Sequence, residues 1–172
     1  RLSGLPSNPG RISVNVAPSR PGTLYALLTE PATSSGGSAQ EIGAFRSDDY
    51  GDSWRSYGSV DQATYGWYLS VVAVHPTNPD LAIYGGLRMR RYESATSGRT
   101  ITPPHVDIHA IEFDAAGRLI AGDDGGVHRS EDLGDSWVNL NDGLGTAQFY
   151  AGLSTISADP DIVTLGLQDS GT

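Results

Sequence analysis

The sequence predicts an all-β fold, a partial β-propeller of about three and a half four-stranded blades. Three observations carry that prediction. An octapeptide is written twice, and an apolar strand–turn–strand pattern is written four times. Gly at 22 and Pro at 10 of 172 residues supply turns, while no amphipathic stretch long enough for a helix is present.

The octapeptide Ser47-Asp48-Asp49-Tyr50-Gly51-Asp52-Ser53-Trp54 recurs as Ser130-Glu131-Asp132-Leu133-Gly134-Asp135-Ser136-Trp137, each copy after an Arg. Its chemistry is that of a turn between strands. A Ser hydroxyl and an Asp carboxylate can bond nearby amides, Gly accepts a positive φ, and the Trp enters the next strand with its ring over the turn. Ser47, Asp49, Gly51 and Trp54, with Ser130, Asp132, Gly134 and Trp137, are therefore expected to be structural. A worn third copy starts at Ser94 and ends at Ile101, keeping the Ser and the Gly. Copies then begin at residues 47, 94 and 130, successive starts being 47 and 36 residues apart, the span of a propeller blade.

The hairpins fall in the same register. They lie at 16–25, 74–84, 113–120 and 157–163, each an apolar run, a tight Pro/Gly turn and a second apolar run. The whole chain, 1–172, reads as one partial propeller. Its blades run from about 11 to 59, 69 to 102 and 109 to 141, and a half-blade spans 149–172. Closed propellers have about four to eight blades. The expectation is a fragment of a larger propeller, or a ring completed by other chains.

The net charge of −9 argues against nucleic acid or an anionic membrane surface as partner. All 11 cations are Arg, and with no Cys there are neither disulfides nor thiolate metal sites. No run of about 18 apolar residues exists to span a membrane.

The octapeptides resemble Asp-boxes, the mark of BNR-repeat propellers such as sialidases, xyloglucanases and sortilin-like domains. A wider resemblance rests on Gly10-Arg11-Ile12, Gly66-Trp67-Tyr68, His105-Val106-Asp107-Ile108-His109-Ala110, Asp124-Gly125-Gly126-Val127 and Gln168-Asp169-Ser170-Gly171-Thr172, in that order. It is to large secreted bacterial proteins labelled BNR-repeat glycosyl hydrolases. The resemblance implies a secreted or periplasmic propeller longer than this chain. It departs from sialidases, whose Phe/Tyr-Arg-Ile-Pro motif is Gly10-Arg11-Ile12-Ser13 here.

In a four-stranded blade the turns after the first and third strands share one face, and the other connections share the opposite one. Trp67, Tyr68, His105, Asp107, His109, Gln148, Phe149 and Tyr150 precede or open first strands, while Asp123, Asp124, Gln168 and Asp169 close second strands. Both sets reach one rim, where propeller ligands bind. If extended, His105-x-Asp107-x-His109 lines one side with two imidazoles and a carboxylate. That set could hold a divalent metal, or form a hydrogen-bonded ladder with Asp107 orienting a His, or act in catalysis. His75 and His128 read as structural. The Asp-Gly runs are ordinary turn chemistry, yet Asp107, Asp123, Asp124 and Asp169 could also supply a glycosidase acid/base pair. Two readings stay open. One is a binding or scaffold propeller offering a glycan or an extracellular protein its rim, anchored by Trp67, Tyr68 and their neighbours. The other is a glycoside hydrolase using Asp107, Asp124 or Asp169.

Overall fold

The computed structural model describes residues 3–33, 37–60, 65–95, 97–145, 149–156 and 159–167. Among them there is no helix, and the strands form three four-stranded antiparallel meanders and one hairpin. The first sheet holds β1 (Ile12–Val16), β2 (Leu24–Thr29), β3 (Glu41–Ser47) and β4 (Arg55–Gly58). The second holds β5 (Val71–Val74), β6 (Ala82–Gly85), β7 (Met89–Tyr92) and β8 (Gly98–Ile101). The third holds β9 (Ile108–Phe113), β10 (Leu119–Asp123), β11 (Gly126–Ser130) and β12 (Val138–Asn139). A hairpin of β13 (Phe149–Ile156) and β14 (Asp159–Leu167) follows.

Packing explains why some strands read as continuous apolar runs and others alternate. A strand covered on both faces must be apolar throughout. Thus β2, Leu-Tyr-Ala-Leu-Leu-Thr, is almost wholly buried, as is Ala-Ile-Tyr-Gly of β6. Period-2 alternation then divides each strand between two interfaces. Tyr25, Leu27, Ala44 and Tyr57 of the first sheet meet Val72, Val74, Ala82, Tyr84 and Tyr92 of the second. Ala73, Ile83, Met89 and Ile101 from the other face of the second meet Ile108, Ile111, Leu119 and Ala121 of the third. The outward face of the first sheet buries Ala26, Leu28 and Phe45 under Leu5, Ile42 and Trp54. It leaves the β1 stripe Ile12, Val14 and Val16 at 44–51% exposure, on the face of Leu28 and Ala26, their cross-strand partners. First strands pack side by side, β1 on β5 and β5 on β9, which places them innermost.

One buried cation joins the first two sheets. The Arg46 guanidinium lies 5.3 Å from the Tyr25 ring and 5.7 Å from the Tyr57 ring, and Nη1 donates to the Tyr25 hydroxyl at 2.8 Å. Its Nη2 meets Asp48 Oδ1 and Asp80 Oδ1 at 2.7 Å each. Burial alone would raise both carboxyls, yet hydrogen bonds from Arg46 outweigh it and hold Asp48 and Asp80 below the usual range. A buried guanidinium is tolerated because it is paired and stacked.

Both octapeptides form one turn, repeated almost atom for atom. Ser47 Oγ and Ser130 Oγ accept from Gly51 N and Gly134 N at 2.9 and 2.7 Å, and donate to Asp49 and Asp132 at 2.7 and 2.8 Å. Asp49 and Asp132 accept from Ser53 N and Ser136 N at 2.9 and 2.8 Å, and from the same two hydroxyls. Residue four of each copy is left-handed, Tyr50 at φ 61° and Leu133 at φ 60°, and Gly51 and Gly134 follow at 94° and 96°. That second position is open to Gly at no steric cost.

The worn copy differs. It has no Asp at its third position, and the Ser94 and Ser97 hydroxyls lie 2.9 Å apart. Gly98 already opens β8, and Ile101, at the Trp position, ends that strand inside the core.

Candidate functional site

In a meander, alternate connections lie at opposite ends of the strands. The octapeptide turns share an end with the first-to-second strand turns: Tyr50 N donates to Gly22 O at 3.0 Å and Thr23 Oγ1 to Asp48 at 3.0 Å. The other end is the rim. There Gly66 N donates to Ala39 O at 3.1 Å, and Ile108 N to Gly86 O at 2.8 Å, stitching neighbouring connections together.

The segment 65–70 is a tight turn before β5, with Tyr68 N and Leu69 N both donating to Tyr65 O. Buried Leu69 anchors it, and buried Ser70 donates through Oγ to Gly66 O at 2.8 Å. Held this way, Trp67 and Tyr68 project outward at 40% and 53% exposure, their ring centroids 5.3 Å apart. Gly37, at φ +71°, lies beneath the indole, where a Cβ would come within 2.6 Å of the ring.

Tyr68 meets His109 of β9 edge-on, centroids 5.0 Å apart. His109 Nε2 is 2.7 Å from Asp124 Oδ1. A carboxylate only accepts, so Nε2 donates to it. Trp67, Tyr68, His109 and Asp124 thus form one line crossing from the second sheet to the third. His109 also borders a cleft of about 350 Å³ between the three innermost strands, lined by Arg11, Ser13, Asn15, Ser70 and Glu112 among others. Ser13 Oγ donates to Ser70 O across that cleft at 2.5 Å.

The extended reading of His105-x-Asp107-x-His109 does not hold. Residues 104–106 bend, and Asp107 is left-handed at φ 62°, which Asp tolerates better than most residues. The bend breaks the alternation that would align the three side chains. His105 Nδ1 lies 3.0 Å from the Val106 carbonyl, and His109 Nε2 turns to Asp124. Among the described residues no three His, Cys, Asp or Glu side chains cluster as a metal set.

Asp123 and Asp124, adjacent at the end of β10, point opposite ways. Asp123 is fully buried, accepts from Gly125 N at 2.9 Å, and lies 3.1 Å from Nδ1 of buried His128 without hydrogen-bond alignment. Asp124 faces the rim. Asn141, which no sequence motif singles out, fixes this turn: Oδ1 accepts from Val127 N and Nδ2 donates to Gly125 O, both at 2.8 Å. His75 Nδ1 caps the turn after β5, accepting from Asn78 N at 3.2 Å, and its ring meets Phe113 edge-on. Gln148, Gln168 and Asp169 lie outside the described residues.

No family model matches this chain, and no curated protein does. Solved structures do. YCF48 from Cyanidioschyzon merolae aligns over 99% of this chain and 60% of its own, at 11% identity and a TM-score of 0.56. The Niastella koreensis GH74 enzyme aligns over 94% of this chain and 26% of its own, at 15% identity and a TM-score of 0.58. This chain therefore spans less than two thirds of the first protein and about a quarter of the second. At such identities the likeness carries the fold alone: the chain is a partial all-β propeller of about three blades, similar to glycosyl hydrolase propellers in architecture.

Proposed function

We propose that the chain is the ligand-presenting part of an extracellular β-propeller, a binding or scaffold domain that offers its rim to a glycan or a protein. The observation that carries this reading is the continuous line Trp67–Tyr68–His109–Asp124, drawn from two blades and resting on a pinned turn. Two exposed aromatic faces give a ligand apolar contact at low entropy cost, and the His–Asp pair beside them gives direction through hydrogen bonds. Of the rim carboxylates, Asp124 is paired with His109 and Asp123 turns inward beside His128. Secreted or periplasmic placement rests on the wider resemblance, carried by Gly66-Trp67-Tyr68, residues 105–110 and the other motifs, to secreted bacterial BNR-repeat proteins. No helix among the described residues is long and apolar enough to cross a membrane.

The test is a soluble glycan array, with binding quantified by calorimetry for each hit. Trp67→Ala and Tyr68→Ala should each weaken binding about tenfold while leaving the fold intact. Retained affinity in both variants would sink the reading. Hydrolysis of a bound glycan, lost in Asp124→Asn, would replace it with the hydrolase.

A further inference from the structure

A second cleft on the rim side has a different character. It holds about 290 Å³ between the β6–β7 turn and the segment leading to β9, and is lined by Leu87, Arg88, Thr100, Ile101, Pro103, Pro104, His105 and Val106 among its walls. Its floor and sides are mostly hydrocarbon. In a chain of net charge −9 its ionisable lining residues are an Arg and a His, with no carboxylate.

Among the described residues Arg11 and Arg88 are the two arginines with neither a carboxylate partner nor an aromatic one, and of the two Arg88 lines this cleft. Arg20, Arg46, Arg55, Arg91, Arg99, Arg118 and Arg129 all have carboxylate partners. Arg90 spends its guanidinium on the Gly98 carbonyl and the Tyr92 ring. Arg88 is exposed and has no ion-pair partner among the described residues. The Val106 carbonyl can only accept, so His105 Nδ1 donates to it.

An apolar pocket with one unspent guanidinium is complementary to a ligand that has a hydrocarbon body and one negative end. We propose that this cleft binds a small hydrophobic monocarboxylate, the acid on Arg88 and the body against Leu87, Ile101, Pro103 and Val106. This site is separate from the Trp67–Tyr68 line, and neither depends on the other.

The test is calorimetric or NMR titration of the protein with phenylacetate and N-acetyl-leucine, each against its neutral amide. Both acids should bind about tenfold more tightly than their amides. Arg88→Gln should abolish that preference, while Arg118→Gln should leave it unchanged. Val106→Glu, a change at a half-exposed position, should also weaken both acids by placing a like charge in the wall, which guards against a misfolded Arg88 variant. Tighter binding of N-acetyl-leucine than phenylacetate would assign the site to the terminal residue of a peptide, and the reverse to a free acid. Equal binding of acid and amide, or an acid preference that survives Arg88→Gln, overturns the proposal.

Discussion

The two octapeptide turns, 47–54 and 130–137, share their internal hydrogen bonds and differ in what their tryptophans do. Trp54 Nε1 donates to Gly51 O at 2.8 Å, folding over its own turn. Trp137 Nε1 instead donates to Thr102 O at 3.1 Å, in the connection that leaves the second sheet. Ile101 takes the place beneath the second turn, so close that a Cβ on Gly134 would fall 2.5 Å from its Cδ1. Arg91 reaches across as well, donating to Leu133 O at 3.2 Å, and Arg99 pairs with Asp135. The first indole bonds within its own turn, while the second bonds to the neighbouring sheet. Local sequence sets the loop of hydrogen bonds, and the surface behind the loop sets the ring.

The largest way to break the comparison is Ile101→Ala. It empties a buried site beneath the second turn and should destabilise the protein by about 2–4 kcal/mol. In an NMR spectrum the Trp137 indole N–H should shift and that of Trp54 should not. Movement of both would mean the two turns are coupled through the core.

Next come the carboxylates. Hydrogen bonds from the Ser53 side chain and backbone, then from Ser47, hold Asp49 down to about 2, and Ser136 and Ser130 lower Asp132 in the same manner. A carboxyl depressed by folding contributes fully above its unfolded value of about 4, and the contribution is lost as pH falls through the folded value. Melting temperature should therefore drop between pH 4 and 2, and Asp49→Asn or Asp132→Asn should each lower it at pH 7 while flattening that acid limb. Matching networks predict matching effects; a much larger loss for Asp132→Asn would show that docking amplifies the turn.

The smallest effects belong to the rings. Trp54→Phe and Trp137→Phe each remove one N–H bond, worth about 0.5–1.5 kcal/mol. Hydrogen exchange should quicken around Gly51 in the first variant and around Thr102 in the second. The opposite pattern would contradict the assignment of the two indoles.

Legibility in the sequence followed the range of the interactions. The octapeptide turns were readable because every bond in them is made within four residues. The worn copy reads as a like turn, but it lacks the Asp, and β8 already opens at Gly98, where the intact copies are still turning. The rim set was readable because meander topology alone sends these connections to one end. Pairings across the rim were not readable. A left-handed residue at Asp107 cancels the alternation that placed His105 and His109 side by side. The choice of Asp124 over Asp107 is made between strands fifteen residues apart. Asn141 gave no signal, since an Asn before Asp-Gly reads as an ordinary turn.

Arg46 bears on how such a molecule could be divided. Cutting between the first and second sheets would leave a guanidinium flanked by Tyr25 and Tyr57 with Asp80 gone and half its charge compensation lost. The repeat seen in the sequence is therefore not a detachable module, and a single-blade truncation product should fail to hold its shape even though its own four strands are complete.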